Sequence, residues 1–281
     1  MLKGKSGSIY VSPIIFLLLL LFNFSFVNAA EKPDYAVLDQ LLRQEVKDGK
    51  VNYKHIKAHP QTLLSFLEGL ETVSREQYES WSRLEKMAFW INAYNAITIY
   101  GIIQHYPIQY GGLIARARFP QNSIRQIGGF WDKIFVKPLG EELSLNDIEH
   151  EILRKQFKDP RIHFVLVCAA VSCPELAPHA YFPEVLDHQL QEATLEFFRN
   201  PEKVRLDRQK GILYLSSILD WYKDDFTVET PLPGLKKKYG KMAGVIQFAL
   251  EYLPEKDADF LKNNLPEVKF LKYDWSLNEL P

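Results

Sequence analysis

The chain has 281 residues, and its 34 basic side chains against 35 acidic ones give a formal charge of −1. With 47% hydrophobic residues it has enough apolar mass for a sizeable core. There is no basic excess to favour nucleic acid or an anionic membrane surface.

Lys3 and Lys5 form a basic start, Ile14 to Phe22 is an apolar run too short to span a bilayer comfortably, and "VNAA" ends at Ala30. This pattern predicts a signal peptide over residues 1–29, cleaved after Ala29, with an uncleaved anchor as the alternative. No cysteine follows the run, so lipoprotein processing is excluded. The expected product is periplasmic or secreted, with no stable membrane insertion after cleavage. It is one domain over residues 30–281, in a compartment that permits disulfides.

Helical spacing predicts a helix over Tyr35 to Lys47, stopped at Asp48-Gly49. "KVNYKHI" reads as a short strand and Thr62 to Leu70 as a helix. Arg83 to His105 is apolar nearly all round, which marks a buried central helix. Glu85, Asn92 and Asn95 share one stripe of it. They either line a polar site or tie down a neighbouring loop. "IFVKPLGEELSL" reads as two strands around Gly140. Ser144 with Asp147 forms a capping box for a helix that carries Glu149 on its apolar face and His150 on the edge.

A buried strand is expected over Ile162 to Cys168, then the loop "VSCPEL". Glu184 to Arg199 reads as an amphipathic helix, "VRLDRQKGILYLS" as a hairpin turning at Gly211, and "DWYKDDF" as a short aromatic helix. Leu235 to Leu253 is a further helix and Val268 to Trp275 a closing strand. Helices and strands mix without βαβ alternation. The expected fold is α+β, a single domain with the central helix packed on a small mixed or antiparallel sheet, in a papain- or transglutaminase-like manner.

The chain has two cysteines, Cys168 and Cys173. Cys173 follows the end of the expected strand, and Pro174 suits the first turn of a helix, which would lower the thiol pKa. A nucleophilic Cys173 would need a base, His150 or His163, and an orienter, from among Glu149, Asn92, Asn95 and Asp274. The chemistry would be hydrolysis or acyl transfer. A Cys168–Cys173 disulfide, structural or redox-active, is the competing reading, and so short a loop adds little stability by closure entropy. A metal site of Glu149, His150 and His163 is disfavoured, because adjacent helical residues point apart and no C-x2-C pair exists. No phosphate loop, G-x-S-x-G elbow or H-E-x-x-H is present, and no cofactor is expected. Trp131, Trp221 and Trp275 offer flat faces for a sugar or peptide.

The segments "KMAFWINAYNAITI", "GGFWDKIFVKPLGEELSLNDIEHEILR", "DPRIHFVLVCAAVSCPEL" and "LSSILDWYKDDF" resemble the DUF547 domain, in order and over roughly residues 80 to 230. The domain it resembles occurs in exported bacterial proteins and in plant and animal multidomain proteins, and the resemblance carries over Asn92, Asn95, Trp131, Glu149, His150, His163, Cys173 and Pro174. It implies no activity, although fusions to glutaredoxin-like modules in plant relatives hint at thiol chemistry. Family members often carry Gly after the first cysteine, where Ala169 stands here. The expectations are a cysteine-dependent hydrolase or acyltransferase, a non-enzymatic envelope binding or assembly domain, or a thiol–disulfide partner. The catalytic set would be Cys173, His150, His163, Glu149 and Asn92. Asn95, Trp131 and Trp221 would contact a small-molecule, peptide or glycan ligand.

Overall fold

In the computed structural model, the described residues are 32–227 and 232–281. The signal-peptide expectation at residues 1–29 lies outside them.

Helix α1, Tyr35–Glu45, is capped by the Asp34 side chain and buries Leu38, Leu41 and Leu42. Asp48-Gly49 does more than stop it. Both residues have positive φ, so they form the two-residue turn of a minimal antiparallel hairpin, β1 (Val46–Lys47) with β2 (Lys50–Val51). The strand expected over "KVNYKHI" ends there, because Asn52 caps helix α2, Tyr53–Ala58. Helices α3, Gln61–Thr72, and α4, Arg75–Ser80, follow.

Helix α5, Arg83–His105, is the expected central helix of 23 residues, opened by a Ser82–Glu85 capping box. It is buried on nearly every side, from Met87 through Ile103. Its neighbours include α1, α2, α3 and the helix that carries Glu149, so the core around it is helix on helix. Burying each such large apolar side chain contributes about 1.5–3 kcal/mol. The short helix α6, Leu113–Arg118, buries none of its residues.

The two strands expected around Gly140 are absent from the described residues, and Pro138–Gly140 is a single 3-10 turn. The Ser144 helix is present, but over Asp147–Phe157 it is wound as a π-helix. The buried strand expected over Ile162 to Cys168 is also not formed. Pro160–Phe164 is a 3-10 helix capped by Asp159, and the chain then runs extended with no ladder partner. Asn95 takes the partner's place. Its Nδ2 donates to the Val165 carbonyl and its Oδ1 accepts from the Val167 amide. A buried backbone needs such partners, and one side-chain amide supplies both.

A second apolar cluster is built from Phe164, Phe198, Leu213, Leu215 and Ile246. Helix α7, Leu186–Arg199, and the sheet of β3 (Val204–Asp207), β4 (Ile212–Leu215) and β5 (Glu267–Phe270) contribute to it. The β3–β4 pair is antiparallel and β4–β5 is parallel, so the small sheet is mixed. The fold is therefore α+β with a buried central helix and a small mixed sheet. The sheet lies against the second cluster, and the packing around α5 is mainly helical.

The short helix α8, Ile218–Trp221, and a 3-10 turn, Lys223–Asp225, account for the aromatic segment. The helix expected over Leu235 to Leu253 is broken at Gly240, whose φ of 56° no helix continues. The pieces are α9, Leu235–Tyr239, and α10, Ala243–Tyr252; α11, Glu255–Asn264, was not anticipated. The closing strand stops at Phe270, and residues 273–275 leave the sheet.

Ala169 sits at φ 57°, a left-handed conformation that costs an L-residue about 1–2 kcal/mol. Ala169→Gly should therefore raise stability by about 0.5–1 kcal/mol, once the extra freedom of glycine in the unfolded chain is subtracted. Urea melts of the two chains would check this, and an unchanged midpoint would show the position to be unstrained.

Candidate functional site

The two cysteines form a disulfide, Cys168–Cys173, so neither is a free thiol in this structure. No helix begins at Pro174, and the next one starts at Leu186, so the expected helix-dipole effect on Cys173 does not operate. A tight turn closes the loop instead, with the Cys173 amide donating to the Ala170 carbonyl. The C-terminal segment clamps it. The Val171 amide donates to Ser276 and the Ser172 amide to Asp274, while the Asn278 amide donates to Ala169. Lys203 holds the other side, donating from its buried Nζ to the Val171 carbonyl.

The disulfide lines a cavity of about 390 Å³, together with Glu149, His150 and His163. In a straight α-helix, adjacent residues 149 and 150 would diverge by about 100°. In this π-wound segment both nevertheless border the same cavity, and π turns are frequent at functional sites. Among the described residues no group of three His, Cys, Asp or Glu side chains is placed to hold a metal.

Glu149 is buried and accepts from two phenols. Oε2 takes the Tyr94 hydroxyl at 2.9 Å and Oε1 takes the Tyr222 hydroxyl at 2.5 Å. Burial, and then the Glu149 charge, holds both phenols far above their usual range. The same causes raise Tyr273. All three therefore remain hydroxyl donors. Tyr273 places its hydroxyl 3.3 Å from both sulfurs. Cys173 Sγ also receives the Cys168 amide at 2.9 Å.

The histidines are oriented by Asp225 and Arg154, neither of which is among the sequence-predicted orienters. His163 Nε2 meets Asp225 Oδ2 at 2.7 Å, and the ring stacks on Tyr222 at 4.0 Å. A carboxylate only accepts, so Nε2 carries the proton. Arg154 forms a bidentate pair with the same carboxylate, at 2.6 and 2.9 Å, and reaches His150 Nδ1 at 2.9 Å. Guanidinium only donates, so the His150 proton sits on Nε2. Burial pushes the Asp225 carboxyl up, but His163 and Arg154 outweigh it and hold the group well below the usual carboxylate range.

A depressed folded pKa stabilises the fold above the unfolded value and loses that contribution as pH falls. Acid should therefore erode stability progressively below about pH 4. Asp225→Asn should flatten that part of the profile in a pH series of urea melts, and an unchanged slope would remove Asp225 as its source.

Asn92 and Asn95 do not line the cavity. Asn92 repeats the Asn95 pattern, donating to the Tyr181 carbonyl and accepting from its amide. Both asparagines tie loops, and the groups that meet His163 and His150 are Asp225 and Arg154. Asp274 caps its own turn through the Ser276 amide and reaches neither histidine. Trp131 and Trp221 do line the cavity. Trp221 stacks on Trp275, and Arg125 lies over both Trp275 and Trp131. The signal for Asp225 lies within "DWYKDDF", where a pair of acids follows the aromatic residues.

Residues 78–198 match the family model DUF547, described as a protein of unknown function. That span holds Trp131, Glu149, His150, His163 and both cysteines. Trp221, Tyr222, Tyr273 and Trp275, which complete the lining, come from beyond it. No curated protein and no solved structure matches the chain.

Proposed function

We propose that this chain, with its DUF547 domain, is an exported thiol–disulfide exchange protein whose reacting pair is Cys168 and Cys173. The observation that carries the reading is the environment of Cys173 Sγ. It already receives a backbone amide and a phenol, the donors a leaving thiolate needs. Cys168 is partly buried and Cys173 fully buried. A partner thiolate attacks Cys168 Sγ and forms a mixed disulfide with it. The S–S electron pair leaves on Cys173 Sγ, held by the Cys168 amide and the Tyr273 hydroxyl. A second thiolate of the partner then attacks its own sulfur in the mixed disulfide. Cys168 is released, the partner dithiol is oxidised to a disulfide, and this chain's disulfide is reduced to a dithiol.

The test is turnover of a dithiol peptide, with glutathione disulfide as terminal oxidant. Catalytic amounts of protein should accelerate peptide oxidation. Tyr273→Phe, which keeps the ring and removes the donor, should slow it by about tenfold, the worth of one hydrogen bond to a charged group. Turnover no faster than with a Cys168→Ser/Cys173→Ser chain would overturn the reading.

A second reading rests on Glu149, His150 and His163 sharing the cavity with Cys173. In the reduced chain the same two donors would hold a Cys173 thiolate, as a cysteine-dependent hydrolase or acyltransferase requires. Reduced protein that hydrolyses acyl esters or amides, with activity lost in Cys173→Ala, would favour it. Activity retained in that variant would exclude it.

A further inference from the structure

Leu113 is 87% and Ile114 72% exposed, more than any other large apolar side chain among the described residues. They begin helix α6, which turns no side chain inward. Such a pair in water is unfavourable by about 1.5–3 kcal/mol per side chain relative to burial. The surrounding chain does not shed them by flexing. The buried Gln126 side chain accepts from the Gly111 amide and donates to the carbonyls of Phe119 and Pro120, both at 2.9 Å. One amide thus pins both ends of the turn, and the apolar tip is held outward.

The segment that carries the tip is basic, and the carboxylate that meets it, Glu279, is bound to Tyr106 and Asn122 rather than to an arginine. Residues 106–131 contain Arg116, Arg118 and Arg125 and no acidic residue, a local excess that the whole-chain balance hides. Tyr110 is half exposed beside the tip, with the Arg116 guanidinium 4.9 Å from its ring centre. An apolar pair flanked by arginines and a tyrosine matches the layers of a bilayer interface. The apolar residues enter the acyl boundary, the phenol sits at headgroup depth, and the guanidinium groups meet anionic phosphates. Each arginine near such a surface contributes about 1 kcal/mol.

We infer that the Leu113–Arg118 turn docks the protein peripherally on an anionic lipid surface. Two aliphatic side chains on a short turn reach only the interfacial layer, and among the described residues no helix is long and apolar enough to cross a membrane. Arg125 borders both the apolar hollow beside the tip and the disulfide-lined cavity, so the tip and the cavity are neighbours. An acidic protein partner would satisfy the arginines but gives no reason for two rigidly presented aliphatic side chains.

The test is co-sedimentation of the exported protein with phosphatidylglycerol–phosphatidylcholine vesicles and with phosphatidylcholine vesicles alone. Binding should require the anionic lipid and weaken as salt rises from about 50 to about 500 mM. Leu113→Asp/Ile114→Asp, compared in the same processed form, should bind at least about tenfold more weakly. Arg116→Glu/Arg118→Glu should lose the salt-sensitive part. All four positions are outside the core, and thermal melts should show the variants folded. Undiminished binding by the Leu113/Ile114 variant, or equal binding to neutral vesicles, would overturn the proposal. A dimer that this variant converts to monomer would also overturn it, by making a second copy the occupant.

Discussion

Asn95→Ala lowers the unfolding free energy by about 2–4 kcal/mol, the cost of leaving the Val165 carbonyl and the Val167 amide buried without partners. Both groups lie in the core at the approach to Cys168, and no strand is available to take the amide's place. Asn95→Asp is not a mild alternative. It keeps the acceptor for Val167 but sets a carboxylate oxygen against the Val165 carbonyl, so its cost should be at least as large. Asn92→Ala should behave like Asn95→Ala, because it strips both partners from Tyr181. Urea unfolding of the three variants checks this. An Asn95→Ala chain within about 1 kcal/mol of the parent would show that water or a backbone shift replaces the amide.

The second large effect separates the two sulfurs. In Cys173→Ser the remaining Cys168 is only partly buried and lines the cavity, with no internal thiol to release a partner. Its thiolate attacks glutathione disulfide, forms a mixed disulfide and expels glutathione thiolate, and the adduct persists. In Cys168→Ser the remaining Cys173 is 3% exposed, so the same reaction is obstructed. Adduct formation, followed by intact mass, should be at least about tenfold faster for Cys173→Ser. The reverse order would make Cys173 the attacked sulfur and would assign the Tyr273 hydroxyl and the Cys168 amide to a different step.

Several elements were legible without coordinates because their signals are local. The apolar periodicity from Met87 to Ile103 needs a core on every side, and a polar residue inside it needs a partner. That much singled out Asn92 and Asn95 and posed the choice between site and loop tie. The Ser144 cap, the Gly211 hairpin and the amphipathic helix ending at Arg199 are likewise written in neighbouring residues. The apolar run before Cys168 misled for the same reason. Periodicity reports burial, and a buried extended segment satisfied by Asn95 has the composition of one satisfied by a ladder.

What the sequence determined by itself is the buried helix, the mixture of helix and sheet, and the short inventory of chemically able residues. Glu149, His150, His163, Trp131, Trp221 and the two cysteines do meet at one cavity. Only the tertiary structure decided how they are paired. Asp225 reaches His163 across 62 positions and Tyr222 reaches Glu149 across 73, while Tyr273 approaches Cys173 from 100 positions away. Separations of that size leave no periodic trace, because the contacts are made by packing whole elements together. The state of the cysteines belongs to the same class. Spacing allowed either a thiol or a disulfide, and the turn at Ala169, clamped by the C-terminal segment, brought the two sulfurs together.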